Sequence, residues 1–398
     1  MAPSLFSRAF DRRHLQALAG SLSLLALALV LYHSLAGGTL LDANAYDSYL
    51  LQAQNWLEGR VSIANGEKYP WLELAIYNGE YYLSFPPVPS VLALPAAALG
   101  LSLGNLWQAL WALAALAGVY LCFWRTGHTP RACAGWALLA TLSSGFFWLA
   151  GSGGVWFQAQ MLNFAFTVWG LFFWLKKQYV PAFFLVALAV GCRPFTALLA
   201  FALWLPAALN AVKTRRWRRL LAFTAPAAAV ALALGWYNFI RFGSPFEFGH
   251  SYLPEFVRDG GQFTTENFWA NLWGVLRPVT LTASLDLSFP TFNGFCLFLA
   301  SPVFLLWAID IVRAAAQKRL APKDLLAPAL ALITLVALCL HRTMGGWQFG
   351  ARYTVDLIPL ALWWYLARPR RPFGGGAMWL TAAGALFNFY GAAYMLSH

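Results

Sequence analysis

A chain of 398 residues that is 60% hydrophobic and 11% charged, with a mean hydropathy of +0.58, is too apolar for a water-soluble domain; many of its apolar runs reach membrane-spanning length. The net charge of +12 does not mark a nucleic-acid binder, because the basic residues fall in short clusters between apolar runs, as in loops facing anionic headgroups. The 20 Trp and 15 Tyr suit many membrane–water boundaries, and the five cysteines (Cys122, Cys133, Cys192, Cys296, Cys339) lack the close spacing of a zinc site or redox pair.

In chain order, Arg8, Arg12 and Arg13 precede an apolar run from Leu15 to about Tyr32 with no convincing small-x-small cleavage site. This predicts an uncleaved signal anchor with a cytoplasmic N-terminus. The next segment, Leu41–Ser90, holds six of the chain's fifteen acids: Asp42, Asp47, Glu58, Glu67, Glu73 and Glu80. It reads as the core of a first extracytoplasmic loop, residues 41–104. Pro86–Leu103 is apolar but proline-rich, and is expected to be a juxtamembrane or re-entrant helix. If it crossed, Lys213–Arg219, with five basic residues in seven, would lie outside.

Spans then follow near Asn105–Trp124, Ala132–Ala150 and Met161–Leu175. The pair Tyr179–Cys192 and Phe195–Asn210 is hinged at Arg193-Pro194. A segment of about 14 residues is too short to cross about 30 Å, so the hinge is expected below the outer surface and inside protein. A span near Leu220–Ile240 leads to a second large outer loop, 241–290. Four more, near Phe292–Val312, Leu325–His341, Thr354–Ala367 and Ala377–Leu396, complete an all-α polytopic membrane protein of about eleven spans. This topology puts 19 of 27 Lys and Arg inside. The chain is expected to be one integral membrane domain, 1–398, without a separate soluble C-terminal domain.

Acids on the first outer loop and arginines on later ones, presented over a membrane, suit a substrate that is part lipid and part phosphate. Transfer from a lipid-linked sugar needs a carboxylate to accept a proton or hold a metal, and cations to stabilise the departing phosphate. Arginine offers a planar fork for phosphate oxygens. Arg193, at membrane depth, binds a carrier phosphate or else snorkels outward or pairs with an outer-loop acid. Arg352 holds phosphate or pairs with Asp356 at i,i+4. Arg241 and Arg277 are further phosphate candidates. Glu73 is an alternative loop acid, and Trp71, Tyr49, Tyr82 and Tyr77 are candidate sugar or acceptor contacts. His250 and His341 are candidate bases, or else structural hydrogen bonders.

Several motifs, in order along the chain, resemble the C-type glycosyltransferase (GT-C) superfamily, which includes protein mannosyltransferases and the aminoarabinose transferases acting on lipid A. They are the acids after the first span; Tyr49-x3-Ala53 with Leu57 and Gly59-Arg60; and Asn78-Gly79-x-Tyr81-Tyr82-x2-Phe85-Pro86-Pro87. Arg193-Pro194, the run Tyr237-Asn238-x2-Arg241-Phe242-Gly243-Ser244-Pro245, and Gly350-x-Arg352-Tyr353 leading to Pro359 follow. The resemblance implies a polyprenyl-phosphate sugar donor and a catalytic acid on the first outer loop. Asp42-x3-Tyr46 has the family's Asp-to-Tyr spacing, while Asp47 sits better against the Tyr49/Ala53/Gly59 frame; Asp47 is placed first and Asp42 second.

The chain departs from that pattern in three places. Phe85 stands where many relatives have Lys before the Pro-Pro pair. Gln158, Gln160 and Asn163 stand where many carry a second acid, which weakens the case for a divalent cation such as Mg²⁺ or Mn²⁺ without deciding it. The second outer loop identifies no acceptor. A membrane glycosyltransferase is the leading reading, at the cell membrane with its active site outside and a polyprenyl-phosphate sugar as partner. The alternatives are a transporter or flippase of a lipid-linked saccharide, or an inactive scaffold of the same fold.

Overall fold

The computed structural model describes residues 10–102, 104–259, 261–283, 286–368 and 372–397. Where apolar residues run uninterrupted by helix breakers, long helices form. Five are long and apolar enough to cross a bilayer: Arg12–Leu35, Gly104–Arg125, Pro194–Lys213, Trp217–Phe242 and Pro322–Leu340. The chain is a multi-pass, all-α membrane protein, with two small two-stranded hairpins as its strands among the described residues.

Other expected spans are broken, each by an identifiable residue. The Ala132–Ala150 region forms Pro130–Ala140 and then Phe146–Ala150, divided where Thr141 leaves helical geometry. The Phe292–Val312 region divides at Pro302 into Leu297–Ala300 and Val303–Ala316. Tyr179–Val190 ends before Arg193, whose extended backbone precedes Pro194, so the expected hinge is present.

Val155–Leu175 lies at the centre of the bundle, against Gly104–Arg125, Tyr179–Val190 and Ile358–Leu366. Apart from a few residues it is buried on every side, as suits a helix apolar all round. Its first three turns nonetheless carry Gln158, Gln160 and Asn163, all 2% exposed or less. Buried amides must find partners. Those partners are the functional-site candidates of the sequence.

Over one end of the bundle sits the acidic loop. Ser48–Leu57 packs on Val88–Ala98, an 11-residue helix of about 16 Å that is too short to cross. Buried Gln52 joins them, accepting from Ser90 Oγ (2.7 Å) and donating to Tyr237 Oη (2.8 Å). An antiparallel hairpin, Leu74–Tyr77 with Glu80–Leu83, turns at Asn78-Gly79. Both turn residues have positive φ (51° and 79°), as a two-residue hairpin turn demands, and Asn-Gly supplies this at least cost. The segment 241–290, expected as a second outer loop, holds short helices, Pro254–Asp259 and Phe268–Leu276, and a small strand pair.

Candidate active site

Asp47 precedes the helix Ser48–Leu57 and caps it, its Oδ1 accepting from the Leu50 N–H at 3.1 Å. Residues just before it are knotted to the turn before Val155–Leu175. Asn44 Nδ2 donates to Asn105 Oδ1 (3.0 Å) and Ser152 Oγ (3.1 Å), and the Val155 N–H donates to the Tyr46 carbonyl (2.9 Å). Asn105 Oδ1 also accepts from the Gly153 N–H at 2.8 Å. Under this knot two chain segments touch by their backbones: a Cβ on Gly153 would lie 2.2 Å from the Gly104 carbonyl carbon, and one on Gly104 would lie 3.2 Å from Asp47 Oδ2. Asp47 is therefore held by main chain on three sides. Burial raises its carboxyl from 3.8 to about 6, against the pull of hydrogen bonds from Leu50, the Gln158 side chain and Tyr49. Asp42, by contrast, ends the turn Thr39–Leu41 exposed to solvent.

The arginines arrive from the middle and rear of the chain. Arg193 places Nε and Nη2 each 2.9 Å from Asp356 Oδ2. Asp356 Oδ1 accepts from Gln160 Nε2 (3.1 Å) and Asn163 Nδ2 (3.4 Å), and Asn163 Oδ1 accepts from Thr196 Oγ1 (2.6 Å). The i,i+4 pair of Arg352 with Asp356 does not form; Asp356 serves Arg193 instead. Arg352 is 4% exposed and makes no ion pair among the described residues. Its Nη1 and Nη2 make 3.4 Å contacts with Gln160 Oε1 and the Gly345 carbonyl, and its buried Nε has no partner. A single ring, Tyr353, lies under both guanidinium groups, 4.9 Å from Arg193 and 4.7 Å from Arg352.

These groups act on one another. Glu73, its Oε2 accepting from Trp156 Nε1 at 3.0 Å, is solvent-accessible yet flanked by protein. Burial raises its carboxyl; the Trp156 bond opposes this, Glu255 adds to it and Arg352 opposes it. Tyr49 is fully buried, its hydroxyl unpartnered, and it feels both Asp47 and Arg193. Burial lowers His250 to about 4, with His341 and Arg193 adding to the effect and a bond to the Ser84 carbonyl opposing it. Burial likewise lowers His341, aided by Arg193 and Arg352 and opposed by its bond to Thr343. Burial therefore favours the neutral form of both histidines. Trp71 is about half exposed (48%) and donates to the Ala45 carbonyl at 3.1 Å, which sets its indole beside the Asp47 turn.

Other sequence candidates stand apart. Arg241 is a clamp: Nη1 donates to the Leu83 carbonyl (2.7 Å), Nη2 to Asn238 Oδ1 (2.9 Å), and its plane lies over Tyr237 at 4.0 Å. Tyr82 packs edge-on against Phe242 at 5.3 Å. Arg277 donates to the carbonyls of Gly294 and Phe292, bracing the second loop. Asp356, Tyr353, Gln158, Gln160, Asn163 and Glu255 carry weight that residue type alone did not assign. The signal for Asp356 was its place as an acid inside an apolar run. Among the described residues, no three His, Cys, Asp or Glu side chains cluster as a metal would need. The amides around Asp47 and Asp356 are poor substitutes for the hard carboxylate oxygens that Mg²⁺ or Mn²⁺ prefers.

No protein-family model and no curated protein matches the chain. Solved structures do. The crystal structure of ArnT from Cupriavidus metallidurans bound to undecaprenyl phosphate aligns with 94% of this chain and 76% of its own, at 14% identity and a TM-score of 0.52. The apo state of the same protein gives a TM-score of 0.49 over the same shares at 14% identity. The Archaeoglobus fulgidus oligosaccharyltransferase tethered with an acceptor peptide gives 0.34, over 97% of this chain and 55% of its own, at 14% identity. At such identity the likeness to lipid-bound ArnT is one of fold alone.

Proposed function

We propose that the protein is a membrane glycosyltransferase that moves a sugar from a polyprenyl-phosphate donor to an acceptor on the extracytoplasmic face of the cell membrane, with its N-terminus cytoplasmic. The observation that carries this reading is Arg352. A buried guanidinium without a counter-ion costs several kcal/mol, and a fold retains one where an anionic ligand completes it. Arg193, against the same Tyr353 ring, supplies a second cation whose charge Asp356 already partly balances. A phosphate monoanion or dianion satisfies this arrangement without needing a further cation.

In the proposed reaction, Asp47 as carboxylate takes the proton of an acceptor hydroxyl while that oxygen attacks the sugar's anomeric carbon. The bond from that carbon to the phosphate oxygen breaks, and the electron pair leaves with the polyprenyl phosphate. Arg352 and Arg193 hold the charge that develops. A base titrating near 6 is ionised at neutral pH and still strong enough to accept a proton. Trp71, held by its bond to the Ala45 carbonyl two residues before Asp47, offers a ring face for the sugar. No step is routed through a metal.

The test uses undecaprenyl phosphate alone, so it does not depend on which sugar is carried. Titrated into detergent-solubilised protein, it is expected to bind Arg352→Gln about tenfold or more weakly than wild type, the loss of one charge-assisted contact. Equal binding by both proteins would remove the phosphate site from this account.

A further inference from the structure

At the opposite end of the bundle from Asp47, an open groove of about 420 Å³ lies between the starts of the helices Tyr179–Val190 and Trp217–Phe242. Val155–Leu175 spans the distance between the two regions, with Gln158 in its first turn and Lys176 and Lys177 just past its end. That is about 30 Å, one hydrocarbon thickness. Lys177 and Arg219 line the groove, Phe223 closes its back, and Val180, Pro181 and Ala222 form its walls. No acid is among the lining residues. Arg219 lies over the Tyr179 ring at 5.3 Å, and Leu221, 68% exposed, continues the apolar surface along the helix.

The backbone beneath Lys177 carries independent information. The helix before it ends in a Schellman turn, with the Lys177 N–H donating to the Trp174 carbonyl (2.8 Å) and Gln178 N–H to that of Phe173 (3.0 Å). Such a turn puts its closing residue in the left-handed region, which favours glycine. Lys177 nevertheless has φ 59°. Equivalent turns close on Arg215 and Lys318, both at φ 53°, and both near this end of the bundle. At Gly37, Gly59 and Gly100, around the acidic loop, and at Gly127, past the end of Gly104–Arg125, the same kind of turn closes on glycine. At Lys177 the chain thus holds a basic side chain in a conformation that glycine adopts at less cost, and of the three basic residues Lys177 lines the groove. Helix C-termini favour cations, but an unstrained neighbouring position would serve that purpose as well.

We propose that this groove seats the phosphate headgroup of an anionic membrane lipid, with Lys177 and Arg219 as its cations and the Val180–Pro181 and Phe223 walls guiding the acyl chain toward the bilayer. The lipid is favoured over free phosphate because the cations sit on an apolar wall that runs on into the lipid-facing side of Trp217–Phe242. The site is separate from the proposed donor site and does not depend on it.

Native mass spectrometry of the detergent-purified protein with added phosphatidylglycerol or phosphatidylcholine tests this. Wild type is expected to retain phosphatidylglycerol preferentially. Lys177→Gly and Arg219→Gln should each weaken that retention about fivefold, the worth of one basic residue at an anionic surface. Arg313→Gln with Lys323→Gln, a loss of two charges outside the groove, should leave it unchanged. In lipid-free detergent, Lys177→Gly should unfold at a temperature equal to or above wild type, because glycine relieves the turn. Equal losses in the control pair, displacement of the lipid by millimolar inorganic phosphate, or a lower unfolding temperature for Lys177→Gly would each overturn the proposal.

Discussion

Asp47 is a carboxyl whose ionised form burial disfavours. Its carboxyl titrates at about 6 in the folded chain against an ordinary 3.8, so the folded state favours its protonated form. That contribution to stability is fully present below about pH 4 and is lost as pH rises past 6; at pH 8 the ionised group costs about 3 kcal/mol. Asp47→Asn is therefore expected to melt at a higher temperature than wild type at pH 8, with the difference gone by pH 4, while turnover falls about 10²- to 10⁴-fold. Thermal scans at the two pH values, paired with a turnover assay, check both halves. The acid limb of the pH–rate profile should have its midpoint near pH 6, measured as kcat/KM for the donor. At Asp356 the expectation reverses: Asp356→Asn strands Arg193 in a buried site and should cost about 3–5 kcal/mol. Adding Arg193→Gln should restore most of that stability without restoring donor affinity, a pattern a double-mutant cycle measures directly.

Among the elements, Val155–Leu175 does most to assemble the site. From its first three turns Gln158 reaches Asp47, Gln160 reaches Arg352 and Asp356, and Asn163 reaches Asp356. Its entry depends on Gly153 lying against Gly104. Gly153→Ala must push these backbones apart and should cost about 1–3 kcal/mol or more, together with activity, because Asp47 hangs from the same knot. A lowered melting temperature with reduced turnover is the expected result. This helix also marks the limit of what sequence could supply. Apolar runs and charge clusters located the five long apolar helices, the Arg193-Pro194 hinge and the short Val88–Ala98 helix, because each depends on local composition. The three amides look like missing acids in the sequence, and only packing shows them as hydrogen-bond donors to acids from elsewhere. Asp356 lies four residues from Arg352, so an i,i+4 pair was the local expectation; a partner 163 residues away has no signature in spacing. The Asn78-Gly79 turn, noted only as part of a motif, proves to be a hairpin turn.

Across the whole molecule, Glu73 from the front of the chain feels Arg352 from its rear, and Tyr49 feels both Asp47 and Arg193, at one end of a membrane bundle; Lys177 and Arg219 lie toward the other. Charge asymmetry of this kind favours the basic end in the cytoplasm, and the candidate site is proposed to face outward. A flippase needs no proton acceptor and leaves the sugar–phosphate bond intact, whereas a transferase breaks that bond. The most direct measurement is the release of undecaprenyl phosphate from a panel of undecaprenyl-phosphate sugars in proteoliposomes, comparing wild type with Asp47→Asn. The account predicts release by wild type from at least one donor, and loss of that release in a variant that remains folded and still binds undecaprenyl phosphate. Undiminished release by Asp47→Asn, or passage of every intact donor across the bilayer without release, would contradict it.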